Sequence, residues 1–138
     1  MRPETKRQLV RIFKKHKVAF AYLFGSQAKG TAGPLSDIDI AVYLDEEAAA
    51  DKRFDSRLEV LGELTDLYKT DQVDLVVLND APPLLAHRIL KEGLLVFSDN
   101  EKVRLEYEVK AVLQYLDWKP YLDKYTQEVF GPEAIHGR

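Results

Sequence analysis

The chain has 138 residues, 46% of them hydrophobic and 31% charged, with no cysteine and a formal net charge of -3. A chain of this length buries about 68–70% of the surface its unfolded form exposes, so it needs no disulfide or structural metal to hold a core. Without thiols it has no zinc-thiolate site, disulfide framework or catalytic cysteine.

The total charge conceals segregation. Arg2, Lys6, Arg7, Arg11, Lys14, Lys15 and Lys17 face only Glu4 within residues 1–17, a net +6 that leaves -9 for the rest. No apolar stretch approaches the roughly 20 residues that cross a bilayer, and the first residues lack the apolar core of a signal peptide. The expectation is a cytoplasmic protein with no membrane association and no direct, stable binding of nucleic acid. The basic segment leaves steering of an anionic ligand, an acidic partner, contact with nucleic acid and a solvated face open as roles.

Residues 3–16 place Leu9, Ile12 and Phe13 at helical spacing behind a first-turn proline, which predicts an amphipathic helix. The apolar run 18–24 reads as a buried strand that ends at Gly25, and residues 25–34, with three glycines and a proline, read as a loop or a broken turn of helix. Residues 37–44 alternate polar and apolar at first and then turn wholly apolar, the pattern of a strand whose first half borders a cleft. A helix over about 50–69 follows from Phe54, Leu58, Leu61, Leu64 and Tyr68, and then a strand over 72–78. Pro82 or Pro83 opens a short helix stopped by Gly93, residues 94–97 return as a strand, and Asp99 or Asn100 caps a last helix to about 128. Lys119-Pro120 is expected to break or kink it.

Helices and strands interleave with no linker between them. The fold class is therefore α/β, or α+β: a mixed sheet of about four strands covered by helices mainly on one face. Residues 1–130 form one domain on this reading, and 131–138 a flexible tail.

The chemistry sits in Gly25-Ser26, ten intervening residues, then Asp37-Ile38-Asp39, and Asp74 in a separate predicted strand. Side chains two apart on a strand share a face, so Asp37 and Asp39 project together while Ile38 and Ile40 enter the core. Three carboxylates repel one another unless a cation joins them, and Mg²⁺ takes oxygen ligands of this kind together with substrate phosphates. A glycine at a strand end lets the backbone approach a phosphate, and the Ser26 hydroxyl adds a neutral donor. One element for the phosphates beside one for the metal suits in-line displacement at phosphorus.

Gly25-Ser-Gln-Ala-Lys-Gly30, Ser36-Asp-Ile-Asp-Ile-Ala-Val42, Val73-Asp-Leu-Val-Val-Leu-Asn79 and Gly93-Leu-Leu-Val-Phe97 before a tyrosine-rich end resemble the DNA polymerase beta-like nucleotidyltransferase superfamily. More narrowly they resemble the minimal nucleotidyltransferase (MNT) antitoxins of modules whose toxin is a HEPN-domain ribonuclease. The resemblance implies a nucleotidyltransferase fold in which Asp37 and Asp39 hold two Mg²⁺ ions. It implies that Asp74 holds the catalytic metal and helps deprotonate the attacking hydroxyl. Gly25, Ser26, Lys29 and Ser36 would bind the nucleotide. The family usually has arginine where Lys29 stands, and lysine keeps the charge without the planar fork.

The implied activity is transfer of AMP from ATP to a tyrosine of the HEPN toxin, which neutralises it within a hetero-oligomer. Relatives that modify small molecules generally carry a further acceptor domain, and no room for one is expected after Phe97. Transfer to a small molecule or RNA, and a non-catalytic antitoxin that acts by binding alone, are the alternatives. Tyr107, Tyr115, Trp118, Tyr121, Tyr125 and Phe130 suit either an interface or a cover for the sheet. His87 reads as a surface residue.

Overall fold

A computed structural model describes residues 2–30, 37–45 and 50–131. In chain order the elements are α1 (Pro3–Lys15), β1 (Val18–Phe24), α2 (Ser26–Lys29), β2 (Ile38–Leu44) and α3 (Ala50–Tyr68), then β3 (Val73–Val77), α4 (Pro83–Glu92), β4 (Leu94–Ser98) and α5 (Glu101–Phe130). The sheet order is β3-β2-β1-β4. β1 pairs antiparallel with β2 and with β4, while β2 and β3 run parallel across the α3 connection, as a helical crossover requires. The fold is thus α+β with a mixed four-stranded sheet. Of the expected tail, 131–138, residues 132–138 lie outside the described residues.

The alternation of β2 and β3 divides the interior in two. Ile38, Ile40, Val42 and Leu44 of β2 join Val73, Leu75 and Val77 of β3 against Leu9, Ile12 and Phe13 of α1 and Val60 and Leu64 of α3. Ala41 and Tyr43 point the other way, into a second cluster with Phe20, Tyr22, Leu78 and Ile89, closed by Val103 and Tyr107 of α5. Helices therefore cover both faces, which corrects the expectation of cover mainly on one. The continuous apolar runs of β1 and β2 are compatible with burial on both sides.

On the second face the rings of Phe20 and Tyr43 stack with centroids 5.0 Å apart, and Tyr107 tilts against both. The Tyr107 hydroxyl donates to the Leu78 carbonyl at 3.0 Å, and burial pushes its pKa up to about 12. Nearby, the Tyr22 hydroxyl donates to Glu108, which also accepts from Arg104 at 2.8 Å. This network pins the first half of α5 to β1. Asn79 closes the β2–β3 ladder: its amide donates to the Leu44 carbonyl and its Oδ1 accepts from the Leu44 N–H, both at 2.9 Å.

Asn100 caps α5 by accepting from the Val103 N–H at 3.1 Å. The helix then runs unbroken through Pro120, contrary to the expected break. Proline removes the donor to the Leu116 carbonyl, but Leu116 is exposed, so water can take the donor's place.

α1 and α3 are joined by charge as well as by packing. His16 bonds Glu63 and lies 3.5 Å from Glu59, and Lys15 reaches Glu63 at 3.0 Å. The His16 bond first, then Lys15, holds the Glu63 carboxyl below its ordinary value. A carboxyl depressed in the folded state stabilises fully above its unfolded pKa of 4.5, and that contribution is lost as pH falls through the lower folded value. His16→Ala is expected to flatten the fall of the thermal midpoint on the acid side of pH 4.5. An acid slope equal to that of the wild type would remove the pair from the account.

Candidate active site

The pairing register assembles the site. Phe24 lies opposite Asp39 in the antiparallel β1–β2 pair, and Asp39 lies opposite Asp74 in the parallel β2–β3 pair. The three form a row across the sheet where β1 ends and β2 and β3 begin. Asp37 immediately precedes β2, and Gly25 immediately follows Phe24. Because Ile38, Ile40, Val73 and Leu75 are committed to the α1/α3 core, Asp39 and Asp74 project to the opposite face. α1 belongs to the far side of the sheet, so its cations do not line this row.

Asp37 and Asp74 are exposed, and Asp39 is half-buried. Burial first, then the Asp74 charge, then that of Asp37, raises the Asp39 carboxyl above its ordinary value. The three residues are thus electrostatic neighbours. Among the described residues no three acidic or histidine side chains converge as a ready metal cage. The donor set is nevertheless all oxygen and carries three formal negative charges, which fits a hard divalent cation and no softer metal.

Gly25 takes φ 70 and ψ -148, a backbone open in practice to glycine alone. It turns β1 into α2, whose first residue is the half-buried Ser26 and whose last is Lys29. Gly30, at φ 70 and ψ 13, stops the helix in a left-handed cap. Over residues 25–30 the expected loop or broken helical turn is a single helical turn between two glycines, and residues 31–34 lie outside the described residues. The Lys29 side chain and all of Ser36 lie outside the described residues.

Phe24 escaped the reading of the sequence, where it was only the last apolar residue of a strand. It enters the site through the register, which a linear pattern does not show. His87 is not a free surface residue: its ring stacks on Tyr115, centroids 3.6 Å apart and planes within 4°. Burial, then Lys91, holds its pKa below the ordinary imidazole value. It joins α4 to α5.

A glycine turn beside a carboxylate row on a mixed sheet is an arrangement suited to phosphate and cation chemistry, and comparison with known proteins gives the class. Residues 7–102 match the family "Polymerase beta, Nucleotidyltransferase". A Methanocaldococcus jannaschii chain named as a candidate protein adenylyltransferase is 38% identical over 94 residues, 66% of this chain and 92% of that one. The protein adenylyltransferase MntA of Shewanella oneidensis is 34% identical over 100 residues, 72% of this chain and 67% of that one. In solved structures the fold recurs in a crystal structure of a toxin-antitoxin with AMP-PNP, at TM-score 0.69 and 24% identity, covering 91% of this chain and 94% of that one. The chain belongs to the polymerase beta nucleotidyltransferase family and is an enzyme of that class.

Proposed function

We propose that the chain is a Mg²⁺-dependent protein adenylyltransferase that transfers AMP from ATP to a tyrosine of a HEPN-domain ribonuclease toxin and so neutralises it in the cytoplasm. The observation that carries this reading is the Phe24–Asp39–Asp74 row beside the Gly25 turn. The names of the relatives support adenylyl transfer to protein, and a solved neighbour with AMP-PNP supports ATP as donor. Among the described residues no helix is long and apolar enough to cross a membrane.

In this reading Asp37 and Asp39 would hold two Mg²⁺ ions, and Asp74 would help to hold the catalytic one. Bound Mg²⁺ would offset the charge of the triphosphate and of the departing pyrophosphate. The chain's own groups do the rest. The N–H groups of the Gly25–Ser26 turn and the Ser26 hydroxyl hold phosphate oxygens, and Lys29 and Ser36 complete the nucleotide site. The tyrosine oxygen attacks the α-phosphorus, the bond to the β-phosphate oxygen breaks, and pyrophosphate leaves. The phenolic proton passes to Asp74, which is exposed and therefore open to an incoming acceptor.

A macromolecular acceptor is also supported by α5. Leu105, Val109, Val112 and Leu116 recur at spacings of four, three and four on the side turned from Tyr107 and Ala111, and all four are exposed. Further on, Trp118, Tyr121, Tyr125 and Val129 extend the sheet-covering face beyond the sheet, with Tyr121 and Phe130 each 72% exposed. Exposed apolar side chains in two such groups on one helix suit contact with another protein. We assign it to the toxin, in a hetero-oligomer.

The test mixes the protein, Mg²⁺ and the HEPN protein with ATP labelled at the α- or the γ-phosphate. Label is expected on a toxin tyrosine from the α position alone. Transfer from the γ position would mean kinase chemistry. Absence of transfer from either would leave an antitoxin that acts by binding.

A further inference from the structure

Gly25 does more in this structure than turn the chain. An ideal Cβ built on it would overlap the Asp39 carboxylate at Oδ2 and stand 3.1 Å from its Cγ and 3.5 Å from its Cβ. Real Cβ atoms do not approach other heavy atoms so closely, so the carboxylate occupies the space that a side chain at position 25 would fill. Asp39 cannot withdraw by moving its backbone. It is held in register between Phe24 and Asp74, and Ile38 and Ile40 on either side are buried in the opposite core. Any side chain at 25 must therefore rotate the carboxylate out of its present position.

Gly30 provides the internal contrast. It shares the same φ of 70, yet a Cβ there would meet nothing within 4 Å. The two glycines answer different demands: Gly30 the backbone alone, Gly25 the backbone and a neighbouring carboxylate.

We propose that Gly25 is a positioning residue for Asp39, its missing side chain being the seat that sets the carboxylate's orientation, so that the phosphate-binding turn and the metal-binding carboxylate form one mechanical unit. This rests on the metal-ligand reading of Asp39 given above. A shift of the turn on nucleotide binding is passed to Asp39 by direct contact, and the reverse holds for cation binding, since such coupling is reciprocal.

The test uses nucleotide-free full-length protein and Mn²⁺ as the probe, with free Mn²⁺ followed by electron paramagnetic resonance. Gly25→Ala is expected to weaken Mn²⁺ binding about tenfold or more, in the range typical when a ligand's supporting group is lost. Gly30→Ala, at a left-handed cap whose added Cβ meets no neighbour, is expected to leave it unchanged. Urea unfolding of Gly25→Ala in the wild-type and Asp39→Ala backgrounds gives a second readout that needs no metal. The drop in midpoint on adding Gly25→Ala is expected to be smaller once Asp39 is gone, because only the φ cost remains.

Wild-type Mn²⁺ affinity in folded Gly25→Ala would overturn the proposal, as would equal midpoint losses in both backgrounds. If Gly25→Ala folds only in the Asp39→Ala background, the contact is upheld. If the wild type itself binds no Mn²⁺, the metal-site reading fails, and the urea comparison still decides whether Gly25 seats the carboxylate.

Discussion

Asp39→Ala is expected to abolish transfer of the α-phosphate label, a loss of roughly a thousandfold or more, at the upper end of what removing one transition-state donor costs. Asp39 is the residue of the row that stands between the other members, opposite both Phe24 and Asp74. The same substitution is expected to leave the nucleotide-free fold intact, with a thermal midpoint no lower than that of the wild type. Burial and two neighbouring negative charges already work against an ionised carboxylate at this position, so its removal relieves a cost. Asp37→Ala should behave in the same way, with less relief, because Asp37 is exposed. Undiminished labelling in both variants would place the metal site elsewhere. A collapse of the fold would show that Asp39 has a structural duty that the register does not reveal.

The second large effect is expected on α5. Tyr121→Glu combined with Tyr125→Glu should weaken binding of the HEPN partner by at least roughly thirtyfold, since one buried aromatic anchor is worth about 2 kcal/mol or more at an interface. Both rings are largely exposed in the isolated chain, at 72% and 62%, so the substitutions leave its core untouched. Titration calorimetry with the toxin gives the affinity, and circular dichroism confirms that the helix persists. An unchanged dissociation constant would move the interface off the distal half of α5. The proximal stripe from Leu105 to Leu116 would then be the next surface to test.

Much of the fold is legible from local signals, because they point the same way at most positions. Pro3 opens α1, a helical apolar spacing buries Leu9, Ile12 and Phe13, and Asn100 accepts from Val103 to start α5. The strands announce themselves by apolar runs, and their limits lie within a residue or so of expectation. Lys119-Pro120 does not interrupt the helix, since exposed Leu116 can give its carbonyl to water in place of the donor that proline lacks. Cover on both faces was not legible. A strand buried on both sides and one buried on a single side with a short exposed edge read alike when the run is only five to seven residues long.

The aromatic-rich end shows the same division in a single element. Sequence left interface and sheet cover open, and the structure divides the aromatics into a packed group and an exposed one. Tyr107 is half-buried against Phe20 and Tyr43, whereas Trp118, Tyr121 and Tyr125 continue beyond the sheet. Periodicity gives the face on which a residue lies. It does not say where the surface beneath that face ends.

By itself the amino-acid sequence determined which chemistry is available: three carboxylates, two of them two residues apart on a strand, a Gly-Ser turn ahead of them, and no thiol. Strand periodicity is a property of neighbouring residues, so that part needed no tertiary contact. Only the folded sheet decided that Asp74 stands opposite Asp39, that Phe24 completes the row, and that the cations of α1 lie across the sheet from it. Register and facing depend on hydrogen bonds between segments tens of residues apart, which no local pattern encodes. The seat that Gly25 provides for Asp39 belongs to the same class: a glycine in the sequence, and a shared space only once two strands have paired.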